Sequence, residues 1–344
     1  MKRPLVLVAL ASLLAAAVPQ PVTAQTTRPQ IGVQFQIDSY SSDTARLNVL
    51  NKLQAAGVTR IRMGVAWRSL ETSNGVYNTA YLRKLDFAVD AAIARGIQVL
   101  AVLRSTPGWA NGGREGNVPP TQAREYGDAA LFVAKYFKGR VDAWEMWNEP
   151  NLTRFWTGTP TQLVGLFKAA YPKFKLGAPG VTVLAGGLAQ NDDEYLRAMY
   201  AAGAKGYFDV LGIHPYTGPA DAPPELPDDG NHWRFTHVAA MHDIMCSKGD
   251  CAKKIWFTEF GWSSHSNTGG EANFERGVTS QQQADYLVRA IEFTAANYPY
   301  VTMMSWFTDH NTTGNTVHLN NFGLLYADLT GKPAYFALKA YMGR

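Results

Sequence analysis

Two glutamates end apolar runs in distant parts of the chain. Glu149 lies in "WEMWNEPN" (144–151), and Glu259 lies in "KIWFTEF" (254–260). Glutamate is seldom buried without a partner, so an acid at the tip of an apolar strand needs an explanation. Taken alone, each carboxylate is best explained as a structural group bonded to an arginine or to the backbone. Taken together, two carboxylates that flank one bond have the chemistry of glycoside hydrolysis, in which one gives a proton and the other acts on the sugar carbon.

Eight short apolar or β-branched runs alternate with longer helical patterns. The strand-like runs are 31–36, 58–65, 97–103, 140–147, 181–187, 207–214, 254–260 and 300–307. The helical patterns that follow them are 43–56, 80–95, 121–137, 161–173, 192–202, 232–246, 280–297 and 333–341. Strict alternation predicts a parallel sheet, and eight units predict a single-domain (β/α)8 barrel. An open doubly wound sheet is the alternative, but no Gly-rich phosphate loop follows the first run.

Polar and aromatic residues collect at the predicted C-terminal ends of the strands, the face that carries the active site in such barrels. Besides the two glutamates they are Arg62, Trp109, Asn148, His214, Tyr216, Trp262 and Trp306. Several have a plain structural alternative: His214, Tyr216 and Trp306 could fill the core, and the other tryptophans could anchor loops. Regular alternation along the fourth strand turns Asn148 away from the cleft, so its participation requires the strand to break there. The polar segment 217–234 is predicted to cover one end of the cleft.

The motifs "WNEPN" and "WFTEFGW", at the ends of the fourth and seventh strands, resemble those of the clan A retaining glycoside hydrolases. The resemblance extends over essentially the whole mature chain. Within the clan, "RMGVAWRSLETSNGVYN" and "TPGWAN" are most similar to family 39, which contains β-xylosidases and bacterial endoglycosidases acting on exopolysaccharide. The resemblance implies that Glu149 is the acid/base and that Glu259 is the nucleophile.

The same resemblance implies roles for the residues around this pair. Arg62 is expected to support the nucleophile, and Asn148 to bind the sugar 2-hydroxyl. The segment from His214 to Tyr216 is expected to orient the nucleophile, and Trp306 to form the floor of a subsite. Trp109 and Trp262 are further candidates for substrate binding. Independently of the resemblance, Trp144, Trp147 and Trp156 are predicted to form an apolar wall that disfavours the charged form of Glu149, as an acid requires. Gln34 and Gln36 stand where several relatives have histidine.

Residues 1–24 have the features of a secretory signal peptide. Lys2 and Arg3 precede an apolar stretch, and Val22-Thr23-Ala24 matches a cleavage site. A retained membrane anchor is less consistent with so short an apolar core. We therefore expect a secreted protein, extracellular or periplasmic, with residues 25–344 forming the catalytic barrel. Removing the leader takes away two cations and no acid, so the formal charge falls from +4 to +2, which does not favour nucleic acid as a partner.

Cys246 and Cys251 bracket the turn "SKGD". In an exported protein this spacing predicts one short-range disulfide, with two free thiols as the alternative. The surrounding sequence offers too few ligands for a zinc site.

The sequence therefore predicts a retaining hydrolase that cleaves a β-linked polysaccharide within the chain, needs no metal or organic cofactor, and is monomeric. Its partner is expected to be a polysaccharide or oligosaccharide, and neither nucleic acid nor a membrane. An exo-acting β-xylosidase, a transglycosylase and a non-catalytic carbohydrate-binding barrel are the alternatives.

Overall fold

The chain folds into a closed parallel barrel in the computed structural model, which describes residues 28–40 and 42–343. The barrel strands are β1 (Gln30–Gln34), β2 (Arg60–Ala66), β3 (Gln98–Arg104), β4 (Ala143–Asn148), β5 (Thr182–Ala189), β6 (Val210–His214), β7 (Lys254–Phe260) and β8 (Val301–Trp306). Strands that are consecutive in the chain are neighbours in the barrel, and β1 closes the ring by pairing with both β2 and β8. The predicted (β/α)8 fold is confirmed.

A long helix follows each strand. These helices are α1 (Asp43–Ala55), α2 (Thr79–Ile93), α3 (Ala123–Tyr136), α4 (Pro160–Gly177), α5 (Asp193–Ala201), α6 (Val238–Ser247), α7 (Ser280–Asn297) and α8 (Pro333–Met342). Side-chain caps fix several of their starts: Thr159 and Thr279 each form a reciprocal capping box with a glutamine three residues on. The sixth helix begins later than its sequence pattern predicts, because residues 232–234 belong to a loop and Phe235–His237 form a 3-10 turn.

The barrel interior changes from apolar to polar along the strands. Near the N-terminal ends lies a small apolar cluster formed by Leu100, Ala143, Leu184, Val210 and Met303. Alternate residues on a strand share a face, so the same inward faces continue toward the C-terminal ends. They lead from Leu100 to Arg104, from Ala143 to Glu145, and from Val210 to His214. The polar residues of the site therefore stand on a closed apolar floor.

Cys246, in the last turn of α6, forms a disulfide bond with Cys251, as predicted. The predicted leader, residues 1–24, lies outside the described residues. Among the helices of residues 28–40 and 42–343, none has the length and apolar character that crossing a bilayer requires.

Lys332, directly before α8, is completely buried and makes no ion pair within the described part of the chain. Its ammonium donates to the Asn321 carbonyl at 3.0 Å and to Asn311 Oδ1 at 3.3 Å. Both acceptors lie in the loop between β8 and α8. Burial lowers the pKa of Lys332 from 10.5 to about 7.

Because the unfolded chain holds the Lys332 proton more tightly than the folded chain, stability should rise with pH above about 7. The free energy of unfolding of the wild type, minus that of Lys332→Met, should increase by about 1.4 kcal/mol per pH unit between neutral pH and about pH 10. Urea unfolding of both proteins at several pH values measures this difference. Lys339→Met, at an exposed position of α8, is the control and should show no such trend; parallel curves for wild type and Lys332→Met would contradict the assignment.

Candidate active site

Glu149 and Glu259 meet at the C-terminal mouth of the barrel. Glu149 directly follows β4, and Glu259 lies near the end of β7. Both side chains are largely buried, with residue exposures of 4% and 8%. One carboxylate oxygen of each, together with a ring nitrogen of His214, lie within 4.8 Å of one another. The two carboxylates thus face each other across a gap that fits one reacting carbon.

Glu259 is held in its charged form. Burial alone would raise its pKa, but the charges of His214 and Arg62 and the hydrogen bonds from Tyr216 and Arg62 hold the pKa below its usual value. Arg62 Nη1 lies 2.5 Å from Glu259 Oε1, and the Tyr216 hydroxyl donates to Glu259 Oε2 at 2.9 Å. Burial and the neighbouring carboxylates raise the pKa of Tyr216 well above 10, so this hydroxyl keeps its proton as a donor. A carboxylate in these surroundings is suited to nucleophilic attack.

Arg62 organises the floor of the site. Its guanidinium donates to four acceptors on three strands: Gln34 Oε1, Glu145 Oε2, Asn148 Oδ1 and Glu259 Oε1, at 2.5–2.7 Å. Glu145 is fully buried, and its pairing with Arg62 is the structural role that its inward position on β4 suggested. Burial opposes the charge of Arg62, but Glu145 and Glu259 raise the pKa of its guanidinium above the ordinary value.

His214 connects Glu149 to this network. Thr258 Oγ1 donates to Glu145 Oε1 at 2.8 Å, so its oxygen accepts from His214 Nε2 at 3.0 Å. The ring therefore carries a proton on Nε2, as the hydrogen-bond network requires. Nδ1 lies 2.9 Å from Glu149 Oε1. This contact joins Glu149 to the network and places a group that can exchange a proton beside it, as acid/base chemistry requires.

The backbone breaks strand geometry where β4 enters the site. Trp147 and Glu149 have φ values of +76° and +42°, which non-glycine residues rarely adopt. As a result Asn148 faces the cleft and accepts from Arg62, while Trp147 is buried against Trp156 and Tyr126. Asn148 was expected to reach the cleft only if the strand breaks there. The strand does break, because Trp147 and Glu149 have left-handed backbone conformations.

Trp144 does not belong to the predicted aromatic wall beside Glu149. Trp144 faces the helix layer, where its ring stacks on Phe174 of α4 at 5.6 Å. The polar contacts of Glu149 come instead from His214 and from Arg154, whose Nη2 lies 3.1 Å from Glu149 Oε2.

A glycine on β5 makes room for the buried network. A Cβ atom on Gly187 would collide with His214, Glu145 and Thr258. The strand therefore approaches these side chains more closely than any other residue type permits.

Three adjoining cavities form a cleft across the barrel mouth, and Asn148 and Phe155 line all three. The largest, of about 760 Å³, contains both glutamates and extends to Trp233 and Phe274. A second, of about 260 Å³, reaches Glu259 from the side of β1. A third, of about 320 Å³, lies beyond Asn148 and is bordered by arginines. The loop 217–234 contributes Thr217, Ala220 and Trp233 to the wall of the largest cavity.

Of the three predicted tryptophans, only Trp262 borders the cleft. Trp306 is 1% exposed, packs on Phe260 and Trp262, and donates its indole N–H to the Phe322 carbonyl. The expected exposed ring is therefore wrong for Trp306, and the next residue, Phe307, lines the cavity instead. Trp109 fixes a loop by donating to the Glu71 carbonyl. Trp262 is also buried, and donates to the Ala222 carbonyl in the loop 217–234.

The sequence analysis did not select Arg154, Thr258 or Phe155. Arg154 and Phe155 follow the "NEPN" turn closely, so proximity along the chain was their only signal. Thr258 directly precedes Glu259, and regular alternation would direct the two side chains to opposite faces of β7, so its contact with His214 was not expected.

The donors of Glu149, His214 and Glu259 are close enough to share a cation. However, each carboxylate already accepts a hydrogen bond from an arginine, Arg154 or Arg62. These positive charges oppose a divalent ion, so the arrangement favours proton transfer over metal binding.

Comparisons with known proteins agree with this geometry. The family model described as Cellulase (glycosyl hydrolase family 5) matches residues 24–309. A solved family 39 glycoside hydrolase from the gut symbiont Bacteroides cellulosilyticus has a TM-score of 0.73 at 24% identity, over 92% of this chain and 64% of that one. The chain thus spans slightly less than two thirds of that structure. No curated protein gave a significant match.

Two further solved structures share the fold. GH5_18 from Streptomyces cattleya, in complex with GlcNAc, has a TM-score of 0.71 at 17% identity, over 92% of this chain and 80% of that chain. A monomeric β-xylosidase from Caulobacter crescentus has a TM-score of 0.66 at 18% identity, over 91% and 68%. Family 39, to which the motifs are most similar, is represented among these structures, but the family model that matches is a different one. Since that model covers most of the chain, the protein belongs to glycosyl hydrolase family 5, in clan A.

Proposed function

We propose that the protein is a retaining glycoside hydrolase that cleaves a β-linked polysaccharide within the chain. One observation carries the proposal: the carboxylates of Glu149 and Glu259 approach within 4.8 Å. Retaining glycosidases hold their two carboxyl groups about 5–5.5 Å apart, whereas inverting ones leave about 6.5–9.5 Å for a water molecule. The gap here favours direct attack by a carboxylate.

The reaction then has two displacements. The Glu259 carboxylate attacks the anomeric carbon, the glycosidic C–O bond breaks, and Glu149 transfers its proton to the leaving oxygen. In the second step Glu149 removes a proton from water, the water oxygen bonds to the same carbon, and the Glu259 carboxylate leaves. Asn148 lines the same cavity as the two glutamates, and we assign it contact with a sugar hydroxyl.

The shape of the cleft supports attack within a polymer. The cavity that contains both glutamates extends to Trp233, and a further cavity that extends to Arg68 shares Asn148, Arg154 and Phe155 with it. A site that only removes terminal sugars would be closed on one side. The predicted leader adds the proposal that the protein acts outside the cytoplasm, where polysaccharides are available.

Two measurements on one reaction test the proposal. Proton NMR of the first product released from an aryl β-glycoside should show the β anomer. In a panel of β-glucan, xylan, mannan and bacterial exopolysaccharide, at least one polymer should be cleaved to oligosaccharides. An α anomer formed first would refute the double displacement. Monosaccharide as the sole product would favour the exo-acting β-xylosidase, and binding without any product would favour the carbohydrate-binding barrel.

A further inference from the structure

Arg104, at the C-terminal end of β3, points into the cleft without a partner. Its half-buried guanidinium has no hydrogen-bond acceptor and no ion pair among residues 28–40 and 42–343. The guanidinium lies over Gly64 on the neighbouring strand β2, where a Cβ would be in contact with Nε and Nη2 at 3.4 Å. By contrast, Arg62 on the same face has four acceptors. Arg104 therefore presents unused donors to whatever occupies the cleft.

Cations outnumber acids in one cavity beside Arg104, although Arg154 pairs with Glu149. Arg68 and Arg154 border the same cavity of about 320 Å³, and its one acid, Glu115, is 86% exposed and lies 3.9 Å from Arg68. Burial and the charge of Arg62 lower the pKa of Arg104, although Tyr81, Asp38 and Glu259 act in the opposite direction. An anion bound here would offset the repulsion between Arg104 and the neighbouring cations. The planar guanidinium can donate two parallel hydrogen bonds to a carboxylate or a sulfate.

The position of Arg104 relative to the glutamates indicates which sugar it contacts. Arg104 borders the cavity of about 260 Å³ that contains Glu259 and Asn148 but not Glu149. Since the nucleophile bonds to the glycone and the acid protonates the leaving group, this cavity belongs to the glycone side.

We propose that Arg104, assisted by Arg68, binds an anionic substituent of the sugar on the glycone side of the scissile bond, so that the substrate is an acidic polysaccharide. The inference rests on the proposed function. The anionic substituent would be either a carboxylate, as in a uronic acid, or a sulfate ester.

Binding to the Glu149→Gln variant tests this, because that change blocks proton donation and leaves the cavity around Arg104 intact. Calorimetry compares uronic-acid oligosaccharides with their carboxyl-reduced forms, and sulfated oligosaccharides with their desulfated forms. We expect one acidic member to bind at least about 10-fold more tightly than its neutral match, the scale of one charge-assisted bidentate contact. Adding Arg104→Met should abolish that difference and leave binding of the neutral form within about twofold.

Two further variants isolate the effect. Arg197→Met removes the same charge from the exposed face of α5 and should change nothing. Arg104→Lys keeps the charge without the fork and should retain only part of the preference. The inference is overturned if acidic and neutral sugars bind equally, or if Arg104→Met weakens both alike. Hydrolysis of neutral β-glycosides by the wild type, with no acidic preference, would reject it and leave the proposed function standing; no hydrolysis of any glycoside would reject the proposed function itself.

Discussion

Glu259→Gln is expected to lower kcat/KM by at least about 10⁴-fold, which corresponds to about 5.5 kcal/mol of transition-state free energy. The amide has nearly the shape of the carboxylate but cannot form a stable ester with the anomeric carbon, so no covalent intermediate forms. The loss should be as large for aryl glycosides with the best leaving groups as for polysaccharide, because the nucleophile is needed for every leaving group. Initial rates on both kinds of substrate measure it.

The surroundings of Glu259 require a control for folding. Arg62 Nη1 and the Tyr216 hydroxyl both donate to its carboxylate, and a glutamine replaces only part of this charge-assisted pairing. Urea unfolding should therefore show a folded variant of somewhat lower stability. Glu194→Gln, at an exposed position of α5, should keep full activity. If folded Glu259→Gln retained a tenth of wild-type turnover, another group would have to be the nucleophile.

The fold and the approach of the two glutamates were predictable because they depend on coarse features of the sequence. Alternation of apolar runs and helical patterns leaves few options besides parallel strands with crossover helices. Once the strands are placed, the barrel brings their C-terminal ends together, and Glu149 and Glu259 follow. Errors of two or three residues in a strand boundary do not change this result.

Side-chain direction was harder to predict, because one residue reverses it. On β8 the inward face contains Met303, Ser305 and then Phe307, so Trp306 points out toward the helices. On β4 regular alternation directs Trp147 inward, but its positive φ turns the ring away and brings Asn148 to the cleft. A bulky residue in this conformation is too rare to expect from sequence.

Long-range polar pairing was beyond sequence reasoning for a different reason. The network from Arg62 through Glu145 and Thr258 to His214 joins four strands by single hydrogen bonds. None of its members follows a spacing rule along the chain. The free space that Gly187 leaves for them is visible only when β5 is packed against β4 and β6.

Glu149→Ala is expected to have an effect that depends on the leaving group. A glycoside whose leaving oxygen needs protonation should lose about 10²–10⁴-fold in kcat/KM, the usual contribution of a general acid. For a dinitrophenyl glycoside, whose dinitrophenolate leaves without a proton, kcat/KM of the variant should stay within about tenfold of the wild-type value. Its kcat and KM should fall together, because the Glu259 ester still forms but no base activates water to release it.

Sodium azide then separates the two roles of Glu149. The anion needs no general base, and the space left by the shortened side chain lets it attack the anomeric carbon while the Glu259 carboxylate departs. We expect kcat on the dinitrophenyl glycoside to recover, with a β-glycosyl azide as product, since two inversions restore the starting configuration. Glu149→Gln is the control: it also lacks the proton donor, but its side chain fills that space, so azide should rescue it little. An α-glycosyl azide would mean that azide displaced the leaving group directly, and Glu259 would lose its assignment as nucleophile.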